Sequence, residues 1–547
     1  MTYNRLYLLV LLVFTASTGL SQEDIKAKKL EATVARVVKK ALPATVKIAA
    51  FDTLSQTLAV SRFSGVVVSA DGLILTAAHA TQPKQVYQIC FPGGRKVLAR
   101  GLGRISLGKD QPAVDAAMLQ IMEKGKWPFT EMGYSTDMRK GQPCVGISFP
   151  GTFEQLQPNV RLGRIEDADI SKGHFQSSSK MEPGDSGGAL FDAQGRLIGI
   201  HSWILPNEQQ NFEVPIDLYR KYWEALQVPI SYENLPQVSI IKTHQPIVGG
   251  SIPPFEKLIS VSIRHQEAVV SVNSILNGRN QYLLGTVIQW NKEGKKVQGI
   301  LTKNSAIGKQ AQVNLKGKQL VATPVYRDKE NDLVLLLVNE KLPDAIDIEA
   351  TERKEILPPG NLLFSILTGK EVKAGIVSTA KVDMLLKYSF GYFGAGAGFI
   401  NDRVTITNIA QGSPAEGILQ KCDQILAING TMLSKPEQYA SELGKYYPND
   451  TLHIEADRGG KHLALSVKLG VYRSNMHTAD AFPGGRSIRS DGFKNVIAQD
   501  AAIKASECGG PVFDSNEKFI GINISRHSRT ATIIMPASAI LDFLQES

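Results

Sequence analysis

The chain has 547 residues, of which 43% are hydrophobic and 21% charged, and its net charge is +9. This length corresponds to about three to four domains, and the composition excludes a disordered, collagenous or multi-spanning membrane protein. The charge excess is mild and contains no long basic run, so it gives no reason to expect nucleic acid as a partner. Four cysteines without CxxC spacing exclude a disulfide framework and a zinc or redox motif.

Residues 1–21 have the layout of a secretory signal peptide. An apolar run from Leu6 to Phe14 follows one basic residue and precedes small and polar residues. The run is about half of the ~20 residues that cross a bilayer, so a retained membrane anchor is the weaker alternative. We expect cleavage between Thr18 and Gln22 and an exported protein, periplasmic or secreted, without a stable membrane anchor.

The remaining chain is predicted to be mainly β. Apolar residues at helical spacing predict one short helix over 22–41. Short apolar runs separated by Gly- and Pro-containing turns follow, which is typical of an antiparallel barrel or sandwich. Five prolines from Pro229 to Pro254 predict an interdomain linker. The apolar runs before this linker are 44–50, 64–70, 73–78, 87–91, 116–121, 143–149, 189–191 and 197–203.

The region before the linker recurs after it in the same order. Residues 284–302 repeat the pattern of 64–76, and residues 507–525 repeat the pattern of 185–203. The second copy has more than 100 residues between position 375 and its Cys-Gly-Gly, where the first copy has about 20. An inserted segment is therefore predicted in the second copy.

The string EPGDSGGALF in the first copy predicts an activated serine. A serine hydroxyl is a poor nucleophile unless a base removes its proton and hydrogen-bond donors stabilise the oxyanion. Gly184 and Gly187 allow a tight turn that exposes Ser186 and aims the N–H groups of Gly184 and Ser186 at one point. By itself, the string also fits a plain Gly-rich turn between strands.

Two further residues complete a catalytic set with Ser186. His79 ends an apolar strand, where an imidazole can face a cleft as a general base. Asp115 directly precedes an apolar strand, where a carboxylate can hold the imidazole in one tautomer, whereas the nearby Asp110 lacks such a strand. Each residue alone fits a packed histidine or a turn, but the three in the order His, Asp, Ser argue against an accidental arrangement.

Residues from about 30 to 226 resemble the trypsin-like double β-barrel proteases. The strings ALPATVKI, GLILTAAHA and GDSGGALFDAQGRLIGI resemble the HtrA (Do-like) branch of that group. The resemblance implies an endopeptidase domain over 22–228 that needs no cofactor and no metal. It assigns His79 as base, Asp115 as orienting residue, Ser186 as nucleophile, and the amides of Gly184 and Ser186 as oxyanion hole. Asp185 departs from the branch, which usually has Asn there, although Asp is common in the wider group.

The same resemblance implies where the substrate binds. Lys180, six residues before the nucleophile, corresponds to a position near the base of the primary specificity pocket. His201 resembles in position the histidine with which glutamate-specific relatives contact an acidic side chain. One hypothesis is therefore a preference for Glu or Asp before the scissile bond. The alternative is that Lys180 points to solvent and Met181 lines an apolar pocket. The further substrate-binding candidates are Ser202 and Trp203.

Residues 389–470 resemble a PDZ domain of the kind attached to HtrA proteases. Such domains add a peptide as a strand to a sheet edge and hold its terminal carboxylate with backbone amides of a Gly-rich loop. An extra AGAGF and Cys422, where the family commonly has Gly, depart from the pattern, so a purely structural spacer remains the alternative. The residues at the loop position are Gly391, Tyr392, Phe393 and Gly394.

The second copy lacks part of the catalytic set. Ser305 takes the histidine position, Asp332 keeps the aspartate, and Cys508 replaces the serine. A thiol needs an adjacent base to form the thiolate, and no histidine stands at the matching position. Lys303 is on the same strand face as Ser305 and could lower the pKa of the thiol, but it is a poor base at neutral pH. We therefore predict a degenerate protease domain.

The predicted architecture is two trypsin-like double β-barrel domains plus a PDZ-like domain. The second domain occupies 259–384 and 471–547, the PDZ-like domain occupies 385–470, and a linker occupies 229–258. The predicted function is an exported serine endopeptidase that acts on proteins or peptides and possesses a module for peptide C-termini. The alternative is a non-catalytic peptide-binding scaffold or chaperone. The separation of the three catalytic candidates in the folded chain discriminates the two.

Overall fold

The computed structural model of the chain describes residues 22–107, 114–153, 155–239, 265–276, 278–342, 344–350, 357–471 and 478–546. The predicted signal peptide and Asp110 lie outside the described residues. Within these ranges, no helix combines the length and the apolar character needed to cross a membrane.

The first copy of the repeat folds into two closed six-stranded barrels. Its helices and strands are α1 Gln22–Ala41, β1 Thr45–Asp52, β2 Thr57–Leu58, β3 Phe63–Val67, β4 Leu73–Thr76, β5 Val86–Cys90, β6 Lys96–Leu107, β7 Val114–Ile121, β8 Pro143–Ser148, β9 Asn159–Asp167, β10 Phe175–Ser177, β11 Ala189–Phe191, β12 Leu197–Ile204, β13 Asn211–Pro215, α2 Ile216–Lys221, α3 Trp223–Gln227 and β14 Ser231–Tyr232. The first barrel has the order β6-β5-β1-β3-β4-β7 and closes by pairing β6 with β7, and the second has the order β10-β13-β12-β11-β8-β9. Each predicted apolar run overlaps one of these strands, although the runs 64–70 and 73–78 extend beyond β3 and β4.

The second copy begins with the same strand pattern. Its first part consists of β15 Val269–Leu276, β16 Arg279–Lys292, β17 Lys295–Lys303, β18 Ala311–Leu315, β19 Lys318–Asp328, β20 Leu333–Leu337, β21 Ile346–Asp347, β22 Leu362–Ile366 and β23 Val372–Val382. Strands β15 to β20 form the first barrel of the second copy, which closes through the pairing of β15 with β16. The chain then leaves the second copy after β23.

The inserted segment forms its own sheet and its own core. It comprises β24 Gly391–Tyr392, β25 Ala395–Ile400, β26 Arg403–Ile409, β27 Gln424–Ile428, β28 Thr431–Met432, α4 Pro436–Leu443, β29 Thr451–Arg458, β30 Lys461–Lys468 and β31 Gly470–Val471. The main sheet has the order β25-β26-β27-β29-β30, which leaves β25 at an edge, and β24 pairs with β31 where the chain enters and leaves the insertion.

The second copy resumes after the insertion with β32 Val496–Gln499, β33 Pro511–Asp514, β34 Phe519–Arg526, β35 Thr532–Pro536 and α5 Ala537–Glu546. These strands complete a closed barrel of order β22-β23-β32-β35-β34-β33. The insertion therefore occupies the connection that joins β9 to β10 in the first copy, so the barrel closes from strands on both sides of it.

The two copies pack against each other through β9 and β23. The Ser378 hydroxyl on β23 donates to the Val160 carbonyl at 2.6 Å, and the Thr379 hydroxyl donates to the Asn159 side chain at 2.8 Å. Helix α1, predicted over 22–41, contributes buried side chains to an apolar core that includes residues of both copies. The copies are thus joined by buried contacts as well as by the chain.

The beginning of the predicted linker belongs to the first copy. Strand β14 pairs in parallel with Arg104–Ile105 of β6, and the Ser239 N–H donates to the Lys221 carbonyl at 2.8 Å. Residues 240–258 of the linker lie outside the described residues, as do residues 259–264 at the start of the predicted second domain.

Candidate active site

The structure brings His79, Asp115 and Ser186 into hydrogen-bonding distance. His79 Nδ1 lies 2.7 Å from Asp115 Oδ2, and His79 Nε2 lies 2.9 Å from Ser186 Oγ. The His79 backbone N–H also donates to Asp115 Oδ1 at 2.8 Å, which fixes both ends of the contact. The sequence order His, Asp, Ser therefore corresponds to one spatial cluster.

Strand pairing places His79 and Asp115 together. Strand β4 pairs with β7 so that Thr76 faces Ala117, and the chain beyond Thr76 turns over the beginning of β7. His79 lies in that turn, and Asp115 lies at the start of β7. Ser186 reaches the same place from the second barrel, where it precedes β11.

The electrostatics of the pair match a general base held by a carboxylate. The hydrogen bond to Asp115 raises the pKa of His79, although partial burial opposes this shift. Burial acts to raise the pKa of Asp115, but hydrogen bonds from His79 and Ser202 outweigh burial and keep that pKa below its usual value. The Ser202 hydroxyl donates to Asp115 Oδ2 at 2.5 Å. Ser202, predicted as a substrate-binding residue, is thus a partner of Asp115.

The turn before Ser186 has the peptide orientation that an oxyanion hole needs. The Pro183 carbonyl accepts from the Gly151 N–H, and the Asp185 carbonyl accepts from the Gly188 N–H, each at 2.8 Å. In a trans peptide the N–H is opposite to the carbonyl, so the N–H groups of Gly184 and Ser186 are directed away from these donors. Glycine is required at 184, because φ is +103° and a Cβ would lie 2.3 Å from the Gly151 nitrogen.

A buried ion pair supports this turn, and sequence reasoning missed it. Arg161 Nη1 donates to Asp185 Oδ2 at 2.7 Å, and the Ser148 hydroxyl donates to Asp185 Oδ1 at 2.8 Å. Burial raises the pKa of Asp185, and Arg161 opposes that shift. The sequence position of Arg161 could have indicated that it is buried, because it lies on β9 in alternation with the buried residues Gly163 and Ile165.

We expect Arg161→Met to destabilise the first copy strongly. The Arg161 and Asp185 side chains are 1% and 0% exposed, so the substitution leaves an uncompensated carboxylate in the interior. Such a loss costs about 3–5 kcal/mol. Denaturant unfolding followed by intrinsic fluorescence measures this effect. The double variant Arg161→Met/Asp185→Asn removes both charges and should recover much of the loss; a single variant as stable as the wild type contradicts the expectation.

The predicted specificity residues lie deeper than expected. Lys180 does not point to solvent: it is 9% exposed, its Nζ donates to the Asp500 carbonyl of the second copy at 3.0 Å, and burial lowers its pKa to about 8. His201 is fully buried, and burial lowers its pKa to about 3, so the ring is neutral. Neither group is presented to bulk solvent, and the preference for Glu or Asp before the scissile bond stays a prediction.

The other two substrate-binding candidates differ in exposure. Met181 is buried, and its N–H donates to the Asn211 side chain at 3.1 Å. Trp203 is 39% exposed and stacks on Phe212 with 3.8 Å between ring centroids. Trp203, which follows Ser202 on β12, and the half-buried Phe212 therefore form an aromatic pair near the catalytic cluster.

At the corresponding site of the second copy, the polar side chains are hydrogen-bonded to one another. The Ser305 hydroxyl donates to Asp332 Oδ2 at 2.9 Å, and Lys303 Nζ donates to the same oxygen at 2.5 Å. Asp332, which keeps the aspartate position, therefore accepts hydrogen bonds from both residues. Cys508 is fully buried, and burial raises the pKa of its thiol, although Lys303 acts in the opposite direction.

A cavity of about 630 Å³ lies between this site and the insertion. Ser305 and Asp332 line it on one side, and Tyr447 and Asp450 of the insertion line it on the other. Cys508 is not part of the cavity lining. The thiol at the nucleophile position is thus not presented in this cavity.

We expect Cys508→Ala to leave proteolysis unchanged. A free cysteine with an ordinary pKa is only a few per cent thiolate at neutral pH, and burial reduces this fraction further. Casein-type hydrolysis by the Ser186→Ala variant, before and after iodoacetamide, tests the point. Residual hydrolysis that disappears on alkylation of Cys508 would instead show a second, cysteine-based active site.

In the insertion, the loop predicted to bind a carboxylate is partly engaged by its own domain. The Gly391 N–H donates to the Tyr446 carbonyl at 2.7 Å, and Phe393 is buried in the core of the insertion. The Tyr439 hydroxyl of α4 donates at 2.8 Å to the carbonyl of Ala395, the first residue of the edge strand β25. Cys422, where the family commonly has Gly, has a φ of +74°, a conformation that favours glycine.

Comparison with known proteins identifies two domain types in the chain. Residues 63–200 match the family described as trypsin-like peptidase domain, and residues 391–469 match the family described as PDZ domain. The first match covers the region of the catalytic cluster, and the second coincides with the inserted sheet.

Serine protease relatives match the chain over part of its length. Serine protease HTRA1 of Xenopus tropicalis is 31% identical over 202 residues, which is 35% of this chain and 42% of that protein. Serine protease HTRA4 of Mus musculus is 24% identical over 275 residues, or 44% of this chain and 55% of that protein. The chain thus spans about half the length of the curated relatives that it matches.

A solved HtrA-type protease, AlgW with tripeptide, aligns over 81% of this chain and 98% of its own at 15% identity and a TM-score of 0.30. This TM-score is too low to describe a shared arrangement of the whole chain. The two domain matches and the sequence relatives are the basis for placing the chain among known proteins.

Proposed function

We propose that this chain, which belongs to the HtrA-like serine proteases with a PDZ domain, is an active endopeptidase in its first copy and is catalytically inert in its second. The observation that carries the proposal is a pair of hydrogen-bonding contacts through His79. Its Nδ1 lies 2.7 Å from Asp115 Oδ2, and its Nε2 lies 2.9 Å from Ser186 Oγ. A separated set would favour the alternative of a non-catalytic scaffold or chaperone.

Acylation begins when Ser186 Oγ attacks the carbonyl carbon of the scissile peptide and its proton passes to His79 Nε2. Asp115 accepts from Nδ1–H, which keeps a lone pair on Nε2 before the attack and stabilises the imidazolium after it. The N–H groups of Gly184 and Ser186 stabilise the oxyanion. His79 then donates its proton to the leaving amine, which leaves an acyl ester on Ser186.

Deacylation repeats the same steps with water as the nucleophile. His79 removes a proton from the water, which attacks the ester carbonyl, and the same two N–H groups stabilise the second oxyanion. Collapse of this intermediate returns the proton to Ser186 Oγ and releases the carboxylate product. No step in this sequence uses a cofactor.

The substrates in this proposal are proteins or peptides, because the chemistry cleaves a peptide bond. In addition, the PDZ-like domain has an edge strand, β25, to which a peptide can add as a further strand. In this scheme the loop of residues 391–394 binds the terminal carboxylate of such a peptide through N–H groups other than that of Gly391, which donates to the Tyr446 carbonyl. Binding of a fluorescent peptide with a free C-terminal carboxylate is compared with binding of the same peptide amidated at its C-terminus. Loss of binding on amidation supports this role. Equal binding of the amidated peptide argues for a structural spacer.

Export of the protein is a further part of the proposal. Its support is the signal-peptide layout of residues 1–21 in the sequence. Mass determination of the protein recovered from the cell envelope or medium should show an N-terminus between Thr18 and Gln22. An intact N-terminus on an intracellular protein would contradict this part alone.

Labelling with a serine-directed fluorophosphonate tests the catalytic assignment directly. We expect a single adduct on Ser186 by peptide mapping, lost in Ser186→Ala and retained in the matched control Ser305→Ala. The control removes a serine hydroxyl from the equivalent region of the inert copy. An unlabelled wild-type protein would favour the scaffold.

A further inference from the structure

One segment of the second copy lies against the catalytic turn of the first. Residues 526–530, here called the bracing segment, run from the last residue of β34 toward β35, and each is at most 2% exposed. All five are polar or charged. A connection of this composition normally runs over the surface, because buried polar groups need partners. The partners of the bracing segment therefore indicate its role.

Two side chains of the bracing segment bind the residues just before the nucleophile. Arg529 Nη1 donates to the Met181 carbonyl at 2.8 Å, and the Thr530 hydroxyl donates to Glu182 Oε2 at 3.0 Å. Arg529 Nη2 also donates to the Asn207 carbonyl at 3.0 Å. Hydrogen bonds that involve a charged partner, as here, are stronger than neutral ones.

Further contacts surround these two. Arg526 forms an ion pair with Glu208, and His527 Nε2 lies 3.3 Å from the Thr152 carbonyl. Outside the segment, Asp500 of the second copy accepts Lys180 Nζ through its carbonyl and the Leu162 N–H through its carboxylate, at 3.0 Å and 2.7 Å. The region from Lys180 to Glu182 is thus held from the second copy at three successive residues.

Glu182 connects these contacts to the oxyanion hole. Its other carboxylate oxygen accepts the Thr152 hydroxyl, and its N–H donates to Asp185 Oδ2 at 2.8 Å. The neighbouring Gly151 N–H binds the Pro183 carbonyl, which sets the direction of the Gly184 N–H. A shift of Glu182 therefore moves both sides of the turn that presents the hole.

We propose that the inert second copy acts as an internal brace that holds the oxyanion turn of the first copy in its working conformation, with Arg529 and Thr530 as positioning residues. The proposal rests on the proposed function of the first copy. In this proposal the second copy, which is itself inactive, contributes to the reaction catalysed by the first copy. The proposal predicts an effect on kcat, because the oxyanion forms only during the reaction.

Two substitutions test the brace. Thr530→Val keeps the shape and removes the donor to Glu182 together with a 3.2 Å contact to the Ser528 hydroxyl, and Arg529→Met removes the donors to Met181 and Asn207. We expect each to lower kcat on a peptide substrate at least about 10-fold, and at most by the ~10²–10³-fold that loss of one oxyanion donor costs. KM should change little, and Thr530→Ser should restore kcat.

Matched controls come from the same copy. Thr302→Val removes a buried hydroxyl that donates to the Leu284 carbonyl, and Arg327→Met removes an exposed arginine that donates to Asn304 and the Ile307 carbonyl. These hydrogen bonds all stay within the second copy, so kcat should stay at the wild-type value. Assays are run well below the unfolding temperature of each variant.

The outcomes are distinct. A kcat loss in Thr530→Val with recovery in Thr530→Ser supports the brace even where Arg529→Met fails to fold. Unchanged or increased kcat in folded Thr530→Val overturns it, as does an equal loss in the controls. A wild-type protein without fluorophosphonate labelling at Ser186 overturns the proposed function instead, before any variant is compared.

Discussion

Replacement of Ser186 by alanine is expected to reduce kcat for a casein-type or peptide substrate on the order of 10⁶-fold, the cost of losing the nucleophile of a catalytic triad. Ser186 Oγ lies within hydrogen-bonding distance of His79 Nε2, at 2.9 Å. The turn itself is held by backbone bonds, including Ser64 N–H to the Ser186 carbonyl at 2.9 Å. The variant should therefore fold normally while it loses activity.

The measurement is the initial rate of hydrolysis by purified protein, with circular dichroism and thermal unfolding as the check on folding. The same change in the inert copy, Ser305→Ala, should leave the rate unchanged. Wild-type-like cleavage by a folded Ser186→Ala protein would contradict the nucleophile assignment. In that case a group other than Ser186 would have to act as the nucleophile.

The architecture could be predicted from the sequence because each of its features is marked by a short stretch of neighbouring residues. Alternating apolar residues and Gly-containing turns mark the strands, and the recurrence of 64–76 at 284–302 marks the repeat. The catalytic candidates each stand beside a strand that the pattern identifies, and the structure has His79 and Asp115 in contact. Local pattern and strand order together are sufficient for this part of the site.

The supports of the site were not accessible, because they join residues that are remote in sequence. Thr530 and Glu182 are 348 positions apart, and Lys180 and Asp500 are 320 apart. No periodicity links such positions, since they meet only when two separately closed barrels pack together. The surroundings of Lys180 could not be predicted for this reason, because its Nζ donates to the Asp500 carbonyl of the second copy.

The degenerate site shows the same limit at shorter range. Lys303 ends β17 and Ser305 lies in the turn beyond that strand, so strand alternation does not relate them, yet both side chains contact Asp332. Sequence comparison with the first copy could not show that the lysine would replace the missing histidine as a partner of the aspartate. The buried pair explains why Asp332 remains in a copy without a base.

Replacement of Asp115 by asparagine is the second change with a large expected effect. The amide side chain keeps the size of the carboxylate but lacks the charge that stabilises the imidazolium, and it no longer fixes the imidazole tautomer. Such a change lowers kcat about 10⁴-fold in a serine protease triad. Ser202→Ala, which removes one donor to the same carboxylate, should cause a much smaller loss and serves as the graded comparison.

The pH profile gives the same substitution a second readout. Catalysis needs neutral His79, so kcat/KM of the wild type falls as the pH is lowered through the pKa of His79, which Asp115 holds above its ordinary value. Without the carboxylate that pKa falls, and the acid limb of the profile must move to lower pH while the plateau drops. A profile of kcat/KM that keeps both its plateau and its acid limb in Asp115→Asn would remove Asp115 from the triad. A lower plateau with an unmoved limb would show that His79 is not the group whose protonation limits the reaction.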